Sequence, residues 1–237
     1  MIFKIKNPIF IVGAPHSGTS IMIAILSMLR NVYTFEGESA IFWNKAYHAL
    51  KTIDNKAIQN GKRRWIEKTP CHIHCIDKMI ELFPKCKIIM MIRDGRDVTN
   101  SLFKRWNNFE NSMNRWIDDN KEGIKHFPKK VNVMAVRYEA LIEKTELQLE
   151  LICDFINEPY QNNLLEYHKK PKLWYDKTIK KPIDKTHKVI RNWQINQPLF
   201  DGRNKWKKEL DVKLVDKLKN HKEFNLMMDK LGYKWEK

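Results

Sequence analysis

The sequence predicts an α/β fold, one domain over residues 1–237 with a central parallel sheet flanked by helices. Three segments carry that expectation. The first is "IFIVG" (9–13), apolar throughout and closed by glycine, as befits a strand covered on both faces; a short polar loop joins it to the helix-like "SGTSIMIAILSMLR". In the second, "HIHCIDKMIELFP" places Ile73, Ile76, Ile80 and Phe83 on one helical face and leads into the strand "KIIMMI" and the loop "RDGRD". The third is the strand-like "VNVMAV", followed by "RYEALIEKTELQLELICDFI", where Leu141, Leu147, Leu151 and Phe155 suggest helices lying on a sheet. Strands alternating with helices imply crossover connections, and therefore a parallel sheet.

Beyond these segments, residues 169–208 turn basic and aromatic with scattered prolines and little periodicity, which predicts an irregular flap. Helical spacing returns in "DVKLVDKLKNHKEFNLMMDKLGYKW". A chain of 237 residues buries one substantial core without needing a second domain. Its 44 Lys and Arg against 28 Asp and Glu leave a formal charge of +16, so an anionic partner is expected and nucleic acid stays among the alternatives. Cys71, Cys75, Cys86 and Cys153 are too sparse for a disulfide scaffold and read as reduced thiols, which predicts a cytoplasmic setting. No apolar run reaches the roughly 20 residues that span a bilayer, and the first residues lack the long apolar stretch of a secretory leader.

The segment "GAPHSGTS" (13–20) joins a strand to a helix, where unpaired backbone N–H groups and the positive end of the helix dipole bind anions. Gly13 and Gly18 have the spacing of the phosphate loop G-x-x-x-x-G-K-[ST], which predicts a P-loop-like nucleotide-binding core. Thr19 occupies the lysine position, however. Without that lysine the loop still wraps a phosphate but lacks the usual neutraliser of a transferring phosphoryl group, which counts against a nucleotide kinase, the alternative enzyme. His16 stands inside the loop.

This loop resembles the 5′-phosphosulfate loop of sulfotransferases that use 3′-phosphoadenosine 5′-phosphosulfate (PAPS), among them tyrosylprotein, heparan and bacterial enzymes. The family's loop commonly reads P-[KR]-S-G-T-[TS]. Pro15, Ser17, Gly18, Thr19 and Ser20 match, and His16 departs at the basic position, which in the family contacts the bridging oxygen and leaving phosphate. "IRDGRDVTNSL" resembles the family's 3′-phosphate site, an arginine after a strand and a serine eight residues on, at Arg93 and Ser101. A guanidinium offers phosphate a planar fork of donors, and a hydroxyl near a helix start adds a neutral one. "WIEKTP" is similar to the segment before the second strand, implying that Lys68 lies beside the transferring group. "VRYEAL" and "NKWKKEL" are similar to later segments, implying nucleotide contacts by Tyr138 and Lys205.

The resemblance implies sulfuryl transfer from PAPS, as co-substrate, to a hydroxyl, with an amine as the lesser alternative. Such a transfer needs an in-line nucleophile, donors to spread negative charge and a base. "FEGESAIFW" offers Glu38, the position best matched to the family's catalytic glutamate, with Glu36 as the alternative; either carboxylate would otherwise cap a helix starting near Ser39. The expected catalytic set is Glu38, His16 and Lys68, with no metal. "CHIHC" raises zinc through Cys71, His72, His74 and Cys75, but structural zinc usually needs four ligands arranged as pairs. A non-catalytic nucleic-acid-binding protein, using the charge with Trp106, Trp116, Trp174 and Trp193, is the alternative from another class.

Overall fold

A computed structural model describes residues 3–180 and 186–235. Residues 181–185, inside the stretch expected to be a flap, lie outside the described residues. In chain order the elements are β1 (Ile9–Gly13), α1 (Thr19–Leu26), β2 (Val32–Thr34), α2 (Leu50–Gln59), β3 (Arg64–Lys68), α3 (Ile76–Leu82), β4 (Lys87–Ile92), α4 (Gly95–Trp106) and α5 (Phe109–Gly123). They continue with β5 (Val133–Arg137), α6 (Tyr138–Glu143), α7 (Thr145–Ile156), α8 (His187–Gln194), α9 (Trp206–Glu209), α10 (Val212–Asn220) and α11 (Lys222–Lys230).

All five strands run parallel in the order β2-β3-β1-β4-β5. β1 is central and buried along its whole length, which is why it reads as an unbroken apolar run. Its side chains alternate: Phe10 and Val12 join Trp65, Ile88, Met90, Phe83 and Trp116 on one face, while Ile9 and Ile11 join Ile66, Ile89, Met91 and helix α1 on the other. The chain leaves β1 toward β2, returns to β3, then crosses to β4. Helix α1 therefore packs on one face of the sheet and α4, through Val98 and Leu102, on the opposite one. Loops diverging in this way open a crevice beyond the carboxyl ends of β1 and β4, the usual ligand position in such sheets.

Several expectations need correction. "WIEKTP" does precede the strand "KIIMMI", β4, but its first residues themselves form a strand the sequence did not reveal, β3, which is buried throughout. The strand was hidden because three of its five residues are charged, and each finds a partner in the fold: Arg64 with the distant Glu158, Lys68 with Glu38 thirty positions away, and Glu67 with His72 in the following turn. The "HIHC" segment is a 3-10 turn, with the α-helix starting only at Ile76. "VNVMAV" is a shorter strand, β5, starting at Val133. Between α6 and α7 the chain breaks at Lys144, so the apolar phase of Leu141 does not carry across. Helix α7 instead buries Leu149, Ile152, Cys153 and Ile156, leaving Leu147 and Leu151 exposed. The stretch read as an irregular flap contains a full helix, α8.

Candidate active site

The loop after β1 is shaped by two glycines. At Gly13 (φ 144°) a Cβ would meet the Met91 carbonyl oxygen at 2.4 Å, and at Gly18 (φ 95°) it would meet the Tyr138 ring at 2.9 Å. The loop turns through Ser17 N–H to Ala14 O at 3.2 Å, and the first helical bond is Met22 N–H to Gly18 O at 3.0 Å. The N–H groups of Thr19, Ser20 and Ile21 thus precede the helical ladder at the positive end of α1.

Beside this loop lies a cleft of about 870 Å³ whose walls include Pro15, His16, Gly18, Thr19, Ser20, Arg93, Ser101, Tyr138 and Lys205. Residues 190 positions apart are thereby brought together. Ser101 stands in the second turn of α4 rather than at its start, and its Oγ lies 2.6 Å from His16 Nδ1. Arg93 donates from one terminal nitrogen to His16 O at 2.9 Å and from the other to Gly202 O at 2.5 Å. Its guanidinium lies 4.4 Å from the Tyr138 ring centroid. The Tyr138 hydroxyl donates to Phe200 O at 3.1 Å and accepts from Gly202 N–H at 3.2 Å, so it ties down the 200–202 turn while its ring lines the cleft. Lys205 is exposed and lines the same cleft, with Nζ 5.4 Å from the Phe200 ring centroid.

Three polar atoms here are buried and have no hydrogen-bond partner among the described residues: His16 Nε2, Ser17 Oγ and Arg93 Nε. Buried polar atoms are normally satisfied. A cluster of three at one loop fits an anionic ligand, whose oxygens would supply acceptors. The protein itself leaves His16 neutral: burial, then the nearby His187, Arg105, Arg191 and Arg93, hold it down to about 3.

A second cluster adjoins the cleft. Lys68, fully buried at the end of β3, donates to Glu38 Oε1 at 2.6 Å, and Arg191 of α8 bonds the same oxygen. No described residue hydrogen-bonds Glu38 Oε2. Burial pushes the Glu38 carboxyl up, but Lys68 and Arg191 together outweigh it and hold it below its ordinary value. Glu36 is exposed and has no ion pair among the described residues. Neither glutamate caps a helix, because residues 41–45 form turns and α2 starts only at Leu50.

The Glu38 loop is held in place by Glu67. That buried carboxylate accepts from Ser39 N–H at 3.1 Å, Ser39 Oγ at 2.8 Å and the Thr69 hydroxyl. His72 accepts from Phe42 N–H through Nε2 at 3.2 Å, so its Nδ1 carries the proton shared with Glu67 at 3.1 Å. Both ring nitrogens of His72 are therefore committed, and His74 bonds the buried Asp119 at 2.6 Å. The two histidines of "CHIHC" are thus engaged in hydrogen bonds that hold the fold.

Sequence reasoning missed Glu67, Arg105, His187 and Arg191. Glu67 sits in the quoted "EKTP", where its burial was the missing information. The others had no readable signal: α8 lies in an aperiodic stretch, and Arg105 is one basic residue among many.

The model of the sulfotransferase family matches residues 36–162, more than half of the chain, and the chain belongs to that family. The match includes Glu38, Lys68, Arg93, Ser101 and Tyr138. It is 27% identical to protein-tyrosine sulfotransferase A of Caenorhabditis elegans over 84% of this chain and 60% of the relative. Against the protein-tyrosine sulfotransferase of Drosophila melanogaster it is 24% identical over 95% of this chain and 51% of the relative. The chain thus spans between half and two thirds of these relatives. The fold is shared with the sulfotransferase domain of the curacin biosynthetic pathway, at TM-score 0.64 and 18% identity over 97% of this chain and 99% of that one. It is also shared with mouse sulfotransferase SULT7A1 complexed with PAP, at TM-score 0.60 and 15% identity over 95% and 85% of the two chains. Among the described residues no helix is long and apolar enough to cross a membrane.

Proposed function

We propose that this chain, acting as one domain, transfers a sulfuryl group from PAPS to a hydroxyl acceptor, with Glu38 as general base. The observation that carries the reading is the convergence of the 13–20 loop, Arg93 and Ser101 on one cleft in which His16 Nε2, Ser17 Oγ and Arg93 Nε are buried and unpartnered. The loop's N–H groups would hold the 5′ end of the donor, and Arg93 with Ser101 its 3′-phosphate, helped by Lys205 and the Tyr138 ring. The bound donor supplies an activated sulfuryl group on a phosphate leaving group. As the acceptor oxygen bonds to sulfur and the bond to the bridging oxygen breaks, the acceptor proton passes to Glu38 Oε2, the oxygen its two cations leave free. Lys68 and His16 would face the charge shifting onto sulfuryl and bridging oxygens, where fixed donors are worth most.

The relatives' names make a tyrosine hydroxyl the first acceptor to try, and an amine a later one. The four free cysteines suit a reducing, cytoplasmic setting. The test incubates the protein with sulfur-labelled PAPS and pooled tyrosine peptides, saccharides, lipids and phenols. Labelled product, with retention on adenosine bisphosphate resin that survives competing nucleic acid, supports the reading. Release by nucleic acid but not by free adenosine 3′,5′-bisphosphate, or phosphate transfer from ATP, would sink it.

A further inference from the structure

The loop carries His16 where the sulfotransferase loops it resembles carry Lys or Arg, and that histidine is uncharged in the free protein. A second imidazole lies against it. His187, near the start of α8, stacks on His16 with ring centroids 5.6 Å apart and planes inclined by 27°, and both rings line the cleft. We propose that His187 is a further anion-contacting residue, and that the stacked pair takes up a proton from solvent when a phosphate or phosphosulfate enters, supplying the cation the loop is missing. The inference rests on the donor reading above and concerns how that site acquires its charge.

Several observations support it. His187 is half-buried and, like His16, is held low, at about 4, by burial and then by Arg105 and Arg191. Among the described residues, with Asp97, Lys104, Lys205 and Glu209 elsewhere on the cleft wall, the charged groups that act on the pair are Arg93 after β4, Arg105 on α4, Arg191 on α8, Lys68 on β3 and the Glu38 carboxylate. That carboxylate is already committed to Lys68 and Arg191. The pair is therefore a set of bases kept deprotonated by surrounding cations, and an entering dianion reverses the balance. Because two imidazolium rings at this separation repel, one shared proton is the expected uptake, and the pair titrates as a unit. His16 Nε2, buried without a partner, is available to present that proton to the ligand.

The test is calorimetric titration of the whole chain with adenosine 3′,5′-bisphosphate in buffers of differing ionisation enthalpy, which counts protons taken up. Wild type should take up about half a proton or more beyond His187→Gln, and its affinity advantage over that variant should shrink about tenfold between pH 6 and pH 8.5. His187→Lys, charged throughout, should bind at pH 8.5 at least as well as wild type with the same reduced uptake; if the Gln variant does not fold, this comparison serves alone. Equal uptake and equal pH slopes in wild type and both variants would overturn the role of His187 and leave the sulfotransferase reading standing. Failure of wild type to bind the bisphosphate at any pH would overturn both.

Discussion

Lys68 Nζ lies 2.6 Å from Glu38 Oε1, with the lysine fully buried and the carboxylate side chain 31% exposed. The pairing joins the end of β3 to the loop after β2, and Arg191 completes it from α8. A carboxylate so held stays ionised across neutral pH. Its folded value is depressed, so its contribution to stability is present above the ordinary 4.5 and is lost as pH falls below it. The acid limb of kcat/KM should lie below that value and move upward in Arg191→Ala. Glu38→Gln should reduce turnover by about 10²-fold or more while donor affinity stays within about twofold. Glu36→Gln should be silent; the reverse pattern would move the base to Glu36.

Arg93 touches both the loop and the 200–202 turn, so its removal affects more than phosphate binding. Arg93→Ala should weaken adenosine 3′,5′-bisphosphate by at least about 1.5 kcal/mol, as for a charged hydrogen bond. General damage to the loop would weaken adenosine 5′-phosphate equally. The ratio of the two dissociation constants therefore carries the prediction, and an unchanged ratio places the 3′-phosphate elsewhere.

Transfer by wild type should decline at alkaline pH, as the donor-bound histidine loses its proton. His16→Ala should lose transfer, and His16→Arg should keep donor binding and shift that alkaline limb well upward, because guanidinium does not titrate there. A limb unmoved in His16→Arg would make His16 a bystander. Without donor the sign is different: His16 and His187 have folded values near 3 and 4, below the ordinary 6.5, so the unfolded chain binds more protons between those limits. Wild-type stability should therefore fall with acidification below pH 6.5 more steeply than that of the His16→Gln, His187→Gln double variant. Melting temperature should register the difference at about 2–4 °C for each kcal/mol.

Glu67 contacts the Glu38 loop through Ser39 and none of the cleft walls. Glu67→Gln should thus lower turnover by roughly tenfold through a displaced Glu38, with donor affinity nearly unchanged. Kinetics with saturating donor, beside a binding titration, separate the two. Equal losses in both would show a general destabilisation instead.

Arg96 is gripped by Asp94 at 2.6 Å and lies 4.7 and 4.9 Å from the ring centroids of Trp206 and Trp235, fastening the C-terminal segment to α4. An ammonium cannot make the two-pronged pair and stack together. Arg96→Lys should cost about 2 kcal/mol of unfolding free energy, measured in urea, since the forked hydrogen bonds to Asp94 and the stacking on both rings are lost although the charge remains. Unchanged stability would mean that the aromatic packing alone holds this segment.

Local signals made β1, its loop and β4 readable in the chain, because a strand buried on both faces must be continuously apolar and a phosphate-loop pattern needs glycines at short, fixed spacing. Arg93, Ser101, Glu38 and Lys68 were named as candidates by the resemblance to sulfotransferase motifs, which did not join Glu38 to Lys68 as a pair. Strand β3 stayed hidden since its charges are buried and two of them are paired with partners far away, Glu158 for Arg64 and Glu38 for Lys68. Likewise, which face of α7 is core depended on the break at Lys144, and the meeting of His187 with His16 and of Arg191 with Glu38 spans more than 150 residues. Periodicity records how a segment meets its own neighbours. Charge neutralisation across a cleft is set by which distant segments the sheet order brings together, and that was decided only by the tertiary fold.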